Sequence, residues 1–244
     1  MTLPFLVSHF PMTHYWLQTQ GWDRFPGLVH GFSSRLPDRS LSLSRLGVDR
    51  LTLRTVRQVH GDEIIVVDRS SWTAQPEADG MITADTDVLL GIVSADCVPV
   101  LIVAPQHGLV ASLHAGWRGT LKGISVRAVE KLKTNWNVPP TSLWVALGPA
   151  IGGCCYEVGA EVGEAMAQRW NLGDSVAWQP RGEKGLLDLR TVNLAQLIAV
   201  GVLRNRIQLV GPCTFCDSER FASYRREGSA ASRQLSVIGW RDEA

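Results

Sequence analysis

Short apolar runs dominate the middle of the chain. Residues 88–93, 98–103 and 109–113 are rich in β-branched side chains and lie next to Gly, Pro, Asp or Ser. Short β-branched runs that end at such residues are typical of buried strands. The pattern predicts strands at these three positions. It also predicts strands in four further segments: 63–67, 143–147, 208–210 and 235–238.

One long segment, residues 117–136, has the periodicity of an amphipathic helix. Its apolar residues recur three or four positions apart, and its charged residues lie mostly on other faces. Pro139 and Pro140 follow the segment, and a helix cannot continue through them. Residues 161–170 and 192–202 are shorter helix candidates. Strands that cluster and also alternate with helices predict an α/β (α+β) architecture in which helices cover a mixed β-sheet.

Composition excludes several classes of protein. The net charge is +1 over 244 residues, which does not favour nucleic-acid binding. No apolar run reaches the length that spans a membrane, and the N-terminus lacks the positive region of a signal peptide. The 5 cysteines are an odd number, and Cys154 and Cys155 are adjacent. This is not a disulfide framework, so we expect a cytoplasmic protein.

Three short motifs each carry one good metal ligand. Gln-Val-His-Gly begins at residue 58, Ala-Asp-Cys-Val-Pro at 95, and His-Ala-Gly-Trp-Arg-Gly at 114, so the ligands are His60, Cys97 and His114. Two imidazoles and one thiolate are the three protein ligands of a catalytic Zn²⁺ centre, which keeps its fourth position open. Affinity does not exclude Cu²⁺, which binds most such sites more tightly than Zn²⁺ does. A multicopper oxidase needs more histidines than the 6 in this chain, so a single mononuclear site is predicted.

Other polar residues have ordinary alternatives. Asp96, beside Cys97, either supports a histidine ligand or caps a turn, and the sequence leaves both open. Cys213-x-x-Cys216 is interpreted as a pair of reduced structural thiols, because a structural zinc needs a second ligand pair and the adjacent Cys154 and Cys155 lack the usual spacing. The remaining histidines are expected to be ordinary core or surface residues: His9, His14, His30 and His107.

The three motifs, together with three further segments, resemble the YfiH-type laccase-domain family. Its members are named polyphenol oxidases, peptidoglycan editing factors or purine nucleoside phosphorylases. The further segments are Leu-Gly-Pro-Ala-Ile-Gly-Gly-Cys-Cys-Tyr-Glu-Val-Gly from residue 147, Cys-Thr-Phe-Cys from 213, and Phe-Ala-Ser-Tyr-Arg-Arg-Glu-Gly from 221. The resemblance is nearly continuous after residue 54. It implies a layered α/β sandwich, one domain over residues 1–244, and a metal site formed by His60, Cys97 and His114.

The resemblance also implies an enzyme. We expect a zinc-dependent enzyme that phosphorolyses adenosine, inosine and methylthioadenosine and deaminates adenosine, with Arg35 and Arg118 binding phosphate. Arg118 is placed at the start of the long predicted helix, where backbone N–H groups favour anions. The alternatives are an amidohydrolase that edits a UDP-muramoyl amino acid in a peptidoglycan precursor, a copper-dependent polyphenol oxidase, and a non-enzymatic metal-binding scaffold. No motif in the sequence distinguishes the purine nucleoside enzyme from the amidohydrolase.

Overall fold

The computed structural model describes most of the chain and all of the segments that carry the motifs. The described residues are 16–35, 43, 46, 48, 51–68, 72, 75–171 and 177–241. His9 and His14 lie outside them. None of the helices in this described part is long and apolar enough to cross a membrane.

The described elements comprise fourteen strands and five α-helices. The strands are β1 (Trp16–Leu17), β2 (Leu28–Ser33), β3 (Thr52–Thr55), β4 (Ile64–Val66), β5 (Gly80–Thr83), β6 (Val88–Ser94), β7 (Val98–Ala104), β8 (Leu109–Ala115), β9 (Trp144–Leu147), β10 (Glu157–Gly159), β11 (Trp178–Arg181), β12 (Lys184–Leu187), β13 (Ile207–Leu209) and β14 (Gln234–Trp240). The helices are α1 (Trp117–Lys122), α2 (Ile124–Trp136), α3 (Ala160–Trp170), α4 (Leu189–Ala199) and α5 (Tyr224–Glu227).

The strands form three sheets. A six-stranded mixed sheet has the order β13-β9-β7-β8-β5-β4, a five-stranded mixed sheet the order β1-β2-β14-β6-β3, and a small antiparallel sheet the order β10-β12-β11. In the six-stranded sheet β13 runs parallel to β9, and β7 is antiparallel to both β8 and β9. The α/β fold class with mixed sheets and covering helices, as predicted, is therefore confirmed.

Alternating side chains of β7 explain why its apolar run is continuous. Leu101 and Val103 pack toward the five-stranded sheet, in a core that includes Phe32 of β2 and Ile92 of β6. Val98, Val100 and Ile102 face the opposite side, where they join the apolar side chains of α2, α3 and α4. All seven residues of the strand are buried. A strand covered on both faces needs apolar residues at every position, whereas a half-exposed strand alternates.

The predicted elements are found with small shifts, except for the longest helix. Residues 117–136 form two helices rather than one, because Gly123 between them adopts a left-handed backbone with φ of 86° and ends α1. Glycine suits that conformation at little cost, and a side chain there would collide with the Trp170 ring, 2.6 Å away. The third predicted helix begins earlier than expected, at Leu189, since Asp188 caps its first backbone N–H groups.

Candidate metal centre

The register of two antiparallel strands places two of the three predicted ligands side by side. His114 lies on β8 opposite Pro99, and Cys97 immediately precedes β7. His60 belongs to the loop that joins β3 to β4. One ligand atom from each of His60, Cys97 and His114 lies within 4.8 Å of the other two, so the structure brings the predicted trio together. The two imidazole rings are nearly perpendicular, with centroids 4.9 Å apart.

The loop that carries His60 is held in a defined shape. The Gln58 side-chain amide donates to the Val93 carbonyl at 2.8 Å and accepts from the Val93 N–H at 2.9 Å, which fastens the loop to β6. His60 itself has a left-handed backbone, with φ of 58°. A non-glycine residue in that region is uncommon, and it persists where its surroundings fix it. The conformation is therefore one that the fold imposes on this histidine.

Asp79 organises both histidines and was not predicted from the sequence. Its carboxylate accepts backbone N–H bonds from Val59, His60 and Gly61, at 3.2, 3.0 and 2.6 Å. It also lies 2.7 Å from the His114 Nδ1, and both side chains are buried. A carboxylate can only accept here, so His114 Nδ1 donates, and Nε2 is the nitrogen that can bind a metal once it loses its proton. A carboxylate behind a histidine ligand is a recurrent arrangement in metal sites.

Electrostatics within the trio favour an anionic sulfur. Burial raises the pKa of the Cys97 thiol, but hydrogen bonds and charge from His114 and His60 outweigh it and lower that pKa to about 6. Burial lowers the pKa of His114, whereas Asp79 and Cys97 raise it, to about 9. Hydrogen bonds from His114 and from Gly61 overcome the effect of burial and keep the pKa of Asp79 below its usual value. A thiolate is the form of cysteine that binds metals.

A glycine forms the floor of the site. A Cβ atom at Gly116 would lie 3.1 Å from Cys97 Sγ, 3.2 Å from His60 Cδ2 and 3.8 Å from His114 Cε1. Any larger residue would therefore press on Cys97 and His60 and contact His114. The donor set of two nitrogens and one sulfur, the 4.8 Å span and this cleared space together fit a single divalent cation with an open coordination position.

Asp96 does not contact a histidine in the described structure, and its role is a structural one. Its carboxylate accepts hydrogen bonds from Thr214 Oγ1 at 2.7 Å, Ser223 Oγ at 3.0 Å and the Arg225 N–H at 2.7 Å. Of the two alternatives that the sequence left open, capping is closer to what forms, because the Arg225 N–H belongs to the first turn of α5. Asp96 holds the C-terminal segments that contain Thr214, Ser223 and Arg225 next to Cys97. Asp79, not Asp96, supports His114.

The two predicted phosphate-binding arginines have different surroundings. The Arg35 guanidinium bonds the Glu227 carboxylate and donates to the Phe221 carbonyl at 3.1 Å. Arg118 is exposed and stacks on the Trp117 ring, 4.3 Å from its centroid, and no ion pair involves it among residues 16–35 and the other described ranges. The helix α1 has only six residues, so its N-terminus does not support an anion site. Only the guanidinium of Arg118 supports phosphate binding there.

Tyr156 is a further residue of this region that sequence reasoning missed. It is half-buried, and burial together with the negative charge of Cys97 and Asp96 raises its pKa to about 12, against opposing effects of Arg225 and Arg118. The Arg225 guanidinium lies over its ring at 5.1 Å. These influences place a neutral phenol, a hydrogen-bond donor, in the electrostatic neighbourhood of both Cys97 and Arg118.

His30 and His107 are not part of the centre. His30 is buried, and its Nε2 accepts the Thr19 N–H at 2.9 Å. Burial lowers its pKa to about 4, so it stays neutral in the core. His107 is exposed in a short 3₁₀ turn after β7. Both therefore have the ordinary roles that the sequence predicted.

The chain is similar to known proteins along most of its length. A family model described as "Multi-copper polyphenol oxidoreductase laccase" matches residues 37–241. The chain belongs to this family. The match confirms the resemblance to the YfiH-type laccase-domain proteins. Despite the family's description, the trio described above offers one compact ligand set, and the chain has 6 histidines in all.

Relatives of this laccase-domain family cover nearly the whole chain. The chain is 34% identical to a purine nucleoside phosphorylase YlmD of Geobacillus stearothermophilus, over 93% of this chain and 97% of the relative. It is 36% identical to an adenosine deaminase RL5 from an unknown prokaryotic organism, over 84% of this chain and 81% of the relative. The crystal structure of the Geobacillus YlmD superposes with a TM-score of 0.83 and 31% identity, covering 96% of this chain and 98% of that one.

Asp79→Asn is expected to weaken metal binding by about 10- to 100-fold, the usual effect of losing the carboxylate behind a histidine ligand. The amide removes the charge that holds His114, while its size is nearly unchanged. A competition titration of the purified variant with Zn²⁺ and a chelator measures the affinity. Asp23→Asn, at an exposed position in a short turn, is the matched control. Equal affinity in the two variants would show that Asp79 serves only the loop.

Proposed function

We propose that this protein is a zinc-dependent enzyme of purine nucleosides. It phosphorolyses adenosine, inosine and methylthioadenosine, and it deaminates adenosine. The observation that carries the proposal is the His60–Cys97–His114 trio, which spans 4.8 Å above Gly116 and has the ligand number of a catalytic centre. The names of two relatives, a purine nucleoside phosphorylase and an adenosine deaminase, support the choice of substrate.

In this proposal the trio holds the ion, and Asp79 orients His114 toward it. A bound divalent cation supplies Lewis acidity toward an oxygen at its open position. His60 and His114 would each give a bound ion an imidazole nitrogen, and Cys97 a thiolate whose charge would partly neutralise it; binding would displace the proton that a pKa of about 9 keeps on His114. The left-handed loop at His60 and the Gln58 bonds to β6 fix the ligands before substrate arrives, so little reorganisation is needed on binding.

The surrounding polar groups are assigned to the substrate. Phosphorolysis joins a phosphate oxygen to the anomeric carbon of the ribose as the bond to the purine nitrogen breaks, so phosphate must be held beside the sugar. Arg118 supplies a planar fork of donors for it. Arg35 contributes only if phosphate competes with Glu227 for its guanidinium. The Tyr156 hydroxyl, kept protonated by its surroundings, donates a hydrogen bond to the nucleoside.

The deciding experiment measures the conversion of defined substrates by protein that is purified without added metal. Adenosine, inosine and methylthioadenosine are each incubated with and without phosphate, and products are separated by chromatography. We expect free base only when phosphate is present, and inosine from adenosine without it. A UDP-muramoyl amino acid and an oxidisable phenol are included as further substrates. Release of the amino acid, or oxidation of the phenol with copper in the metal analysis, would replace the nucleoside proposal by the corresponding alternative.

Elemental analysis of the same preparation tests the choice of metal. Zinc is expected as the main species at the trio. The cytoplasmic location and the single domain over residues 1–244 stay predictions that accompany this proposal. Neither binding to nucleic acid nor contact with a membrane is part of the proposed activity.

A further inference from the structure

A second group of metal-ligand side chains lies outside the trio. Cys154, Cys155, Cys213 and Cys216 bring their four sulfurs within 4.8 Å of one another. Cys216 Sγ lies 3.7 Å from Cys154 Sγ and 3.3 Å from Cys155 Sγ. All four are free thiols. The second ligand pair that Cys213 and Cys216 lacked in the sequence is therefore supplied by the fold, despite the unusual adjacency of Cys154 and Cys155.

We propose that these four cysteines form a structural Zn²⁺ site, distinct from the His60–Cys97–His114 centre. The separations are those of a single tetrahedral ion. Zinc–sulfur bonds of about 2.3 Å put neighbouring sulfurs about 3.8 Å apart, close to the 3.7 and 3.3 Å observed. A polynuclear iron–sulfur cluster holds its thiolates farther apart than one ion does. The short distances between the sulfurs therefore favour a single metal ion over a polynuclear cluster.

Backbone amides prepare the cluster for this role. The Gly152 N–H donates to Cys213 Sγ at 3.2 Å. The Asp217 N–H donates to the Cys213 carbonyl at 3.1 Å and closes the turn that holds the two cysteines together. Amide N–H groups directed at a sulfur stabilise the thiolate, the form that binds metal. Gly152 lies close against the cluster, since a Cβ there would lie 3.3 Å from Cys154 Sγ and 3.4 Å from Cys213 Cβ.

The charge balance also fits a four-thiolate site. Zn²⁺ binding displaces one proton from each thiol to the solvent and needs no oxidant or reductant. The resulting site carries a net charge of about −2, from a divalent ion and four thiolates. The Arg226 guanidinium lies on the Cys213–Cys216 turn, donating to the Thr214 carbonyl at 2.9 Å and to the Phe215 carbonyl at 2.7 Å. Arg226 also pairs with Glu227, whose carboxylate it shares with Arg35, so these three groups leave one net positive charge beside the cluster to offset part of its negative charge.

The position of the cluster indicates what the second ion does. Strands β9 and β13 are parallel neighbours, so the segments that follow them leave the same edge of the sheet. The cluster joins those two segments. Thr214, between the cysteines of the second pair, donates to Asp96, the residue before ligand Cys97, at 2.7 Å. The structural ion therefore braces the segment that fixes one ligand of the proposed catalytic centre.

The experiment counts metal ions in four proteins, each purified without added metal under reducing conditions. They are the wild type, Cys97→Ala, the double variant Cys154→Ser/Cys216→Ser, and the combination of all three changes. Cys154 and Cys216 are exposed, so serine at both positions leaves the packing intact. The expected zinc contents are two, one, one and zero ions per chain. If the double variant binds as much zinc as the wild type, the proposal is overturned.

Cobalt gives a second readout that does not depend on stoichiometry alone. After exchange of zinc for Co²⁺, sulfur-to-cobalt charge-transfer absorption grows with the number of thiolate ligands, which is four at this cluster and one at the trio. Most of the absorption should remain in Cys97→Ala and disappear in Cys154→Ser/Cys216→Ser. A disulfide between these cysteines in the reduced wild type, detected by mass spectrometry, would overturn the proposal. Activity is not needed for either readout, so failure of the nucleoside proposal does not affect this one.

Discussion

Cys97→Ala is expected to abolish turnover on every substrate of the enzyme while the fold is retained. The change removes one of three metal ligands, and the thiolate is the only anionic one. Loss of a residue that merely supports a ligand costs about 10- to 100-fold, so loss of the ligand itself should exceed about 100-fold in activity. Initial rates and zinc content of the purified variant measure the effect. His60→Ala and His114→Ala should behave alike, since the three ligands act as a unit.

The matched control is Ser112→Ala. Ser112 is a small buried residue on β8, two positions before His114, and its hydroxyl has no hydrogen-bond partner in the described structure. Removing its oxygen deletes one buried atom from the same sheet without touching the site. Circular dichroism and thermal unfolding then show whether either variant loses its fold. If Cys97→Ala keeps both wild-type turnover and one zinc at the trio, Cys97 is a structural residue and the proposed centre is wrong.

The sequence predicted the sheets best where both faces of a strand are covered. The runs at 88–93, 98–103 and 109–113 match β6, β7 and β8 within one or two residues. Their continuous apolar character arises because they pack on both sides, which leaves little room for another interpretation. The rule is incomplete, since the edge strands β4 and β13 were also predicted and the buried strands β2 and β5 were not. The small sheet of β10, β11 and β12 contains charged and exposed residues and was missed.

The ligand trio was predicted because three motifs each carry one good metal ligand and together resemble the motifs of a known family. The residues that complete the site required the pairing of strands. Asp79 precedes β5 in an unremarkable Ala-Asp-Gly segment, and only the pairing of β5 with β8 brings it to His114. The four-cysteine cluster depends in the same way on β9 lying beside β13, which no spacing along the chain reveals. An Asp before a glycine and a buried strand was the sole signal for Asp79, and turns produce it more often.

Arg118 provides the second large effect, because it separates the two reactions proposed for one site. Phosphorolysis needs a group that holds phosphate, whereas deamination uses water and has no such requirement. Arg118→Ala is therefore expected to reduce phosphate-dependent cleavage of inosine by about 10- to 150-fold, equivalent to a charged hydrogen bond of about 1.5–3 kcal/mol. Deamination of adenosine without phosphate should fall far less. Both rates are measured on one preparation of the variant, as functions of phosphate and of nucleoside concentration.

Two further variants make the result specific to the guanidinium. Arg118→Lys keeps the charge but loses the planar fork, so it should recover only part of the phosphate-dependent rate. Arg204→Ala removes an exposed arginine in the turn before β13, where its side chain bonds the Ile207 carbonyl, and should change neither reaction. Equal losses of both reactions in Arg118→Ala would assign Arg118 to the fold or to the metal centre. Unchanged rates would mean that its side chain, stacked on Trp117, points away from the bound phosphate and that other donors hold the anion.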